Sequence, residues 1–181
     1  MRIISGIKKS IIIKAPKNLP VRPTTDKVKE SLFNIILNKF NFNEISVLDL
    51  FSGTGNVSYE FASRGCHNLL SIDNNHNCIK FINKTASKLE LNIKTKKIDY
   101  KVFLKKNKIK FDIIFADPPY DFTIRQYLEI TELIKENEIL SDLGELIIEH
   151  SSNINLSDNF KNIDERKYCS SVLSFIKKAS L

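Results

Sequence analysis

Asp49-Leu50-Phe51-Ser52-Gly53-Thr54-Gly55-Asn56 is the stretch on which the fold turns. The β-branched, apolar run Ser46–Phe51 has the composition of a buried strand, and Asn56–Arg64 has that of a short helix. That helix ends before Gly65, a residue suited to a left-handed cap. A glycine loop between a strand and a helix lies where open α/β sheets bind ligands, beyond the strand C-termini. Gly53 and Gly55 allow a tight turn and a close backbone approach to a ligand. Position 58 is Ser58 rather than the third glycine of a dinucleotide fingerprint, so the pattern for a pyrophosphate is incomplete. The loop suits a nucleoside ligand with a positive centre and no phosphates.

Outward from this loop the chain alternates regularly. Asn68–Asp73 reads as a second strand and His76–Leu91 as a helix with Ile79, Ile82, Ala86 and Leu89 on one face. Ile93–Ile98 is a third strand, Tyr100–Lys106 a short helix and Phe111–Ala116 an almost continuously apolar fourth strand. Ile124–Glu136 is a helix and Glu145–Glu149 a fifth strand. Such alternation means a parallel sheet covered by helices on both faces. The tail differs: Ile163–Tyr168 and Val172–Ile176 read as two strands joined by Cys169-Ser170-Ser171, an antiparallel hairpin closing the sheet edge. Upstream, Arg2–Ser5 and Ser10–Lys14 read as two short strands turned at Gly6 to Lys9. Ala15–Pro23 holds three prolines and must be extended or loop. Thr24, Thr25 and Asp26 are helix-start residues before a helix over about 26–40.

Two acids stand at strand ends. Asp73 lies 20 residues beyond Gly53, where a carboxylate can accept from both ribose hydroxyls; it could equally cap the helix near His76. Asp99, after the third strand, could accept from an adenine amino group or cap the helix at Tyr100.

The sharpest feature is Asp117-Pro118-Pro119-Tyr120, directly after the fourth strand. Two prolines fix the backbone and remove two N–H donors. Acceptors remain, namely the Asp117 carboxylate and the carbonyls of Asp117 and Pro118, beside the flat face of Tyr120. An exocyclic amine on a heterocycle needs such a corner. Its lone pair is delocalised, and two hydrogen bonds from its N–H groups would pull the nitrogen toward tetrahedral geometry. The lone pair would then face an electrophilic methyl. Positioning and fixed dipoles do most of this work, so no strong base is needed.

The chain has 181 residues and a net charge of +7, the size of one domain. No apolar run reaches the ~18–20 residues of a membrane span. Lys8 and Lys9 interrupt the N-terminal apolar stretch before a signal-peptide core can form. Cys66, Cys78 and Cys169 form no Cys-x-x-Cys pair, and the three histidines complete no ligand pattern with them, so no metal site and no disulfide scaffold are expected. Three reduced thiols point to the cytoplasm. The charge is uneven: residues 1–30 carry a net +6, residues 94–110 a net +7, and the rest −6. Two basic segments on an acidic body suit a polyanion partner. Arg2, Lys8, Lys9 and Arg22, with Lys27 at the head of the first helix, are the expected phosphate contacts; the Lys-rich 94–110 stretch is either a second contact or a solvated surface.

With these residues in hand, the sequence resembles the class I S-adenosylmethionine-dependent methyltransferases, and within them the RsmD-type bacterial 16S rRNA guanine-N2 methyltransferase family. The resemblance runs over nearly the whole chain. Arg2-Ile3-Ile4-Ser5-Gly6 is similar to the family's N-terminal hairpin, and Arg22-Pro23-Thr24-Thr25-Asp26-Lys27-Val28-Lys29-Glu30-Ser31-Leu32-Phe33-Asn34 to its most specific motif. The 49–55 loop, Ser63-Arg64-Gly65, Asp73 and Asp117–Tyr120 follow in the family's order and spacing. The resemblance implies a Rossmann-like three-layer α/β sandwich, with a mostly parallel seven-stranded sheet and an antiparallel edge. It divides the chain into a basic β-hairpin extension over 1–23 and a catalytic domain over 24–181. It implies S-adenosylmethionine as cofactor. Gly53 and Gly55, with Phe51, would border it, Asp49 would lie near its amino-acid portion, Asp73 would hold the ribose and Asp99 the adenine end. Asp117, Pro118, Pro119 and Tyr120 would hold the target guanine amine. The partner would be 16S rRNA, within the small subunit or an assembly intermediate, met by a monomer. The chain departs from the family at Asn56 and Ser58, where small residues or glycine are usual, and at Tyr120, where phenylalanine is common.

Three other readings compete. A DNA adenine-N6 or cytosine-N4 methyltransferase could use the same Asp-Pro-Pro-Tyr corner, but 181 residues leave no room for an inserted recognition domain. An NAD(P)-dependent oxidoreductase is opposed by Ser58 and by the lack of a Tyr/Lys or His catalytic pair in register. A non-catalytic RNA-binding module is opposed by the presence of every residue the chemistry needs.

Overall fold

The computed structural model describes residues 1–16 and 26–181. Most of the Ala15–Pro23 stretch expected to be extended or loop, the helix-start threonines Thr24 and Thr25, and the candidate contact Arg22 lie outside these residues. Among the described residues β1 (Ser46–Asp49), β2 (Asn68–Asp73), β3 (Lys94–Lys97), β4 (Phe111–Ala116), β5 (Leu140–Ser151), β6 (Asp164–Tyr168) and β7 (Ser171–Lys177) form one sheet in the order β3-β2-β1-β4-β5-β7-β6; its mixed character is what the alternating pattern and antiparallel tail predict. The chain divides into two compact units, Met1–Ile98 and Asp99–Leu181.

The first unit holds α1 (Asp26–Leu37), β1 (Ser46–Asp49), α2 (Asn56–Ser63), β2 (Asn68–Asp73), α3 (His76–Leu89) and β3 (Lys94–Lys97). β1 and β3 each pair in parallel with β2. α1 buries Val28, Leu32, Phe33 and Ile36 at helical spacing. Burying each such side chain contributes about 1.5–3 kcal/mol. Phe33, Phe42 and Phe61 form an aromatic cluster with centroids 4.6–6.0 Å apart. The Arg64 guanidinium lies 4.8 Å from the Phe33 centroid.

α2 is unusual: all eight of its residues are buried, and four of them (Asn56, Ser58, Glu60 and Ser63) are polar. Buried polar groups are costly unless partnered, and each of these has a partner. The helix ends at Ser63 with Arg64 as its C-cap, and Gly65 follows with a φ of +102°, in keeping with the left-handed residue expected there. The Gly65 N–H donates to the Ala62 carbonyl and the Cys66 N–H to that of Phe61, which satisfies the last helix carbonyls.

The N-terminal hairpin is shorter in ladder than the sequence suggests. It holds a single antiparallel bridge, Arg2 to Ile12, extended by backbone bonds between Ile3 and Ile11, Ser10 and Ile3, and Ile13 and Met1. The reason lies in α2. The N–H groups of Ile4 and Ser5 donate to the Glu60 carboxylate at 2.7 and 3.0 Å instead of to a partner strand. Gly6, at φ +85°, sits against the end of α2, where a Cβ would fall 1.9 Å from the Ser63 carbonyl oxygen.

The second unit holds α4 (Tyr100–Lys106), β4 (Phe111–Ala116), α5 (Ile124–Glu136), β5 (Leu140–Ser151), β6 (Asp164–Tyr168) and β7 (Ser171–Lys177). β4 pairs in parallel with β5; β7 runs antiparallel to both β5 and β6, the closing hairpin expected of the tail. β5 begins earlier than predicted. Phe111 pairs with Leu140 and Ile113 with Glu145, so 141–144 bulge out and leave Leu143 91% exposed. α5 starts on a capping box of Thr123 and Gln126 and buries Tyr127, Ile130, Leu133 and Ile134. No helix among the described residues is long and apolar enough to cross a membrane.

Candidate active site

In the first unit the chain leaves β1 at Asp49 and folds back against the end of β2. The Ser52 N–H and hydroxyl both donate to the Ile72 carbonyl, at 3.0 and 2.8 Å. The Gly55 N–H closes a tight turn onto the Ser52 carbonyl at 2.6 Å. Gly53 and Gly55 have φ of +50° and +81°, the region that favours glycine. At Gly55 the missing side chain also serves packing: a Cβ would lie 2.9 Å from both Tyr59 and Ile82. On that side the space belongs to the protein rather than to a ligand, a role the sequence does not display.

Asp73 is built into this loop. One carboxylate oxygen accepts from the Gly53 N–H at 2.8 Å and the other from the Asn75 N–H at 2.7 Å. The helix cap is a different residue, Asn75, whose side chain accepts from the Asn77 N–H at 2.8 Å. An ionised carboxylate has about four acceptor positions, so each oxygen keeps one for a hydroxyl. Asp49 is 1% exposed and accepts from the Ser58 hydroxyl, which also meets the Ser71 hydroxyl at 2.7 Å. Burial pushes its carboxyl up to about 7; the Ser58 hydroxyl opposes the rise and the negative Asp73 adds to it. Ser58, a departure from the family pattern, therefore serves as the partner of Asp49. Asn56, the other departure, accepts from the buried Lys29 ammonium at 2.9 Å. Phe51 is half-buried.

In the second unit Asp99 is exposed and takes the capping role: one oxygen accepts from the N–H groups of Lys101 and Val102 at 2.9 and 3.3 Å. Asp117-Pro118-Pro119-Tyr120 follows the fully buried end of β4. Asp117 is half-buried, Pro118 buried and Pro119 exposed. Tyr120 is 51% exposed, its hydroxyl 3.4 Å from that of Ser171. The Phe122 N–H closes a turn on the Pro119 carbonyl at 3.0 Å. Behind this corner Phe122 packs edge-on against Tyr127, and Tyr127 against His150, at 5.9 and 6.0 Å. Burial, then the negative charge of Asp117, raises the Tyr127 phenol far above its ordinary value, so it holds its proton. Burial lowers His150, which is held between the Ser151 carbonyl and the Ser174 hydroxyl. Neither Tyr127 nor His150 is marked by a motif.

Of the expected phosphate contacts, Arg2 pairs with Asp26 at 3.2 Å and Lys8 with Glu90 at 3.3 Å. Exposed pairs of this kind are worth about 0–1 kcal/mol, so a phosphate can replace the carboxylate. Lys9 and Lys27 are exposed, as are Lys94, Lys96 and Lys97 on β3. No group of three or more potential metal ligands occurs among the described residues.

Asp73, at the glycine loop with one acceptor position left on each oxygen, is the complement of a ribose diol, so this loop fits the nucleoside of S-adenosylmethionine. A mixed sheet in this strand order, with a glycine loop after β1 and an acid ending β2, defines a class I methyltransferase fold. A family model described as Conserved hypothetical protein 95 matches residues 1–177. The rRNA methyltransferase candidate YlbH of Bacillus subtilis is 35% identical over 164 residues, covering 87% of this chain and 86% of the relative. A protein named ribosomal RNA small subunit methyltransferase D, from Buchnera aphidicola subsp. Baizongia pistaciae, is 31% identical over 156 residues, covering 86% and 78%. Among solved structures, a methyltransferase candidate of Escherichia coli, yhhF, superposes with a TM-score of 0.81 at 24% identity, covering 97% of this chain and 96% of that one. The chain belongs to this family, the RsmD-type S-adenosylmethionine-dependent methyltransferases.

Proposed function

We propose that this protein transfers a methyl group to the exocyclic N2 amine of a guanine in small-subunit rRNA, met in the subunit or an assembly intermediate. The single observation that carries the reading is the corner at the end of β4. Asp117 and two prolines present acceptors, and an exposed Tyr120 ring stands next in sequence. The names of the relatives support RNA as the acceptor, and so do the exposed basic side chains of the 1–16 segment.

When bound, S-adenosylmethionine supplies an electrophilic methyl on a sulfonium centre. The 53–55 loop would seat its amino-acid end near Asp49, with Phe51 alongside. Asp73 would accept from the ribose and Asp99 from the adenine end. The Asp117 carboxylate and the Pro118 carbonyl would accept the two N–H bonds of the guanine amine, while Pro119 fixes the turn. Tyr120 would stack on the base and hold its nitrogen in line. A stacked or paired guanine cannot reach such a corner, so it must be extruded or sit in an exposed loop. Residues 1–23 would act as a basic extension that grips phosphates through Arg2, Lys8, Lys9 and Arg22, with Lys27 beside them.

The test is the identity of the product. With labelled S-adenosylmethionine and small subunits lacking the mark, the modified nucleoside should be N2-methylguanosine. An N6-methyladenosine product, or labelling of duplex DNA in preference to rRNA, overturns the substrate assignment.

A further inference from the structure

We infer that Lys29 is a positioning residue that ties the N-terminal hairpin to the cofactor loop, so that the seating of residues 1–5 sets the geometry of Gly53–Gly55. The inference rests on the reading of that loop as the cofactor's seat.

Lys29 is fully buried on α1, and its ammonium meets three groups on two other elements. It donates to the Arg2 carbonyl in the hairpin. It donates to the Asn56 side-chain oxygen at 2.9 Å, and Asn56 is the first residue after the loop. Its third partner is the Glu60 carboxylate, 3.8 Å away and one turn further along α2. Glu60 in turn holds Ile4, Ser5 and the Arg64 guanidinium. The hairpin and the start of α2 thus share one buried ion.

Two features direct this link at the loop rather than at stability alone. Gly55, the N-cap of α2, offers no side chain to cap the helix, so beyond the backbone turn onto Ser52 no side-chain cap anchors the helix start. The Asn56 side chain supplies that anchor, and it reaches to Lys29. A second contact runs the same way: the buried Thr54 hydroxyl, in the middle of the loop, meets the Met1 sulfur at 3.8 Å. A buried ion pair is also a poor device for stability alone, since well-packed apolar residues often do as well. Its ordered geometry is better suited to fixing one segment against another.

The experiment compares S-adenosylhomocysteine binding by calorimetry in the full chain and in Asn56→Ala, Asn56→Asp and Asp73→Ala. Asn56→Ala removes the side-chain acceptor that meets the Lys29 ammonium and leaves the Lys29–Glu60 pair. It should weaken binding about tenfold, equivalent to about 1.4 kcal/mol. Asn56→Asp keeps an acceptor for the ammonium and should stay within about threefold of wild type. In turnover, Asn56→Ala should raise KM for the cofactor while kcat at saturation holds within about twofold. Loss of folded protein would instead lower kcat. If Asn56→Ala fails to fold, Asn56→Thr, which keeps a shorter acceptor, takes its place with the expectation of an intermediate loss. Binding unchanged in Asn56→Ala but weakened in Asp73→Ala overturns the link alone. Equal losses in Asn56→Ala and Asn56→Asp overturn it too. Unchanged binding in both Asn56→Ala and Asp73→Ala overturns the cofactor reading of the loop and the link with it.

Discussion

Replacing Asp49 by asparagine should make the protein more stable relative to wild type at alkaline pH and not at acid pH. The carboxyl sits at an ordinary 3.8 in an unfolded chain and at about 7 in the fold, raised chiefly by burial. Between these values the native state keeps a proton that the unfolded chain has released. Stability from this group is therefore complete below the unfolded pKa and is lost as pH rises through the folded one. About three units at 1.36 kcal/mol each gives about 4 kcal/mol over the whole window, and about 2.5 kcal/mol between about pH 5 and pH 8. An asparagine side chain at this position would be neutral at every pH and still accept from the Ser58 hydroxyl. Urea unfolding of both proteins across that range measures the difference directly. The gap should move in favour of Asp49→Asn by about 2.5 kcal/mol from about pH 5 to about pH 8. A gap that stays flat would mean that the buried carboxyl is already ionised throughout, and the account of its burial would be wrong. On the proposed reading the same substitution weakens S-adenosylhomocysteine binding at alkaline pH, since the ammonium loses its ionised partner.

Two further predictions concern the hairpin and the acceptor corner. Gly6→Ala places a Cβ 1.9 Å from the Ser63 carbonyl oxygen at a φ of +85°. It should destabilise by more than about 3 kcal/mol, seen as faster hydrogen exchange at Ile4 and Ser5 before the strands of the sheet. A stable variant with protected Ile4 and Ser5 contradicts the docking. At Tyr120 the ring should matter and the hydroxyl should not: Tyr120→Phe keeps kcat/KM within about threefold, and Tyr120→Ala lowers it about a hundredfold. Equal losses in the two variants would assign the effect to the hydroxyl contact with Ser171.

The alternation of apolar strands with helices was legible because each element carries its own signal. β4 is apolar at almost every position, α3 and α5 repeat their apolar faces at helical spacing, and Gly65 follows the end of α2. The candidate site was legible for the same reason, since Gly53–Gly55, Asp73 and Asp117–Tyr120 are local motifs. What stayed hidden depends on tertiary pairing. Ser58 owes its role to Asp49, nine residues away, and Glu60 to Ile4 and Ser5, more than fifty residues away. Lys29 reads as one more basic side chain in a basic segment, yet it is fully buried. The polar residues spread through α2 break the periodicity that would show that the whole helix lies inside. The bulge at 141–144 likewise follows from how β5 meets β4, which local patterns do not carry.

The most direct measurement is single-turnover methyl transfer by wild type and Asp117→Ala at saturating cofactor, on small subunits lacking the mark. Removing a hydrogen-bond acceptor from the reacting amine should slow transfer by about 10²–10³-fold, while S-adenosylhomocysteine affinity stays within about twofold. Transfer at an unchanged rate in Asp117→Ala would contradict the account.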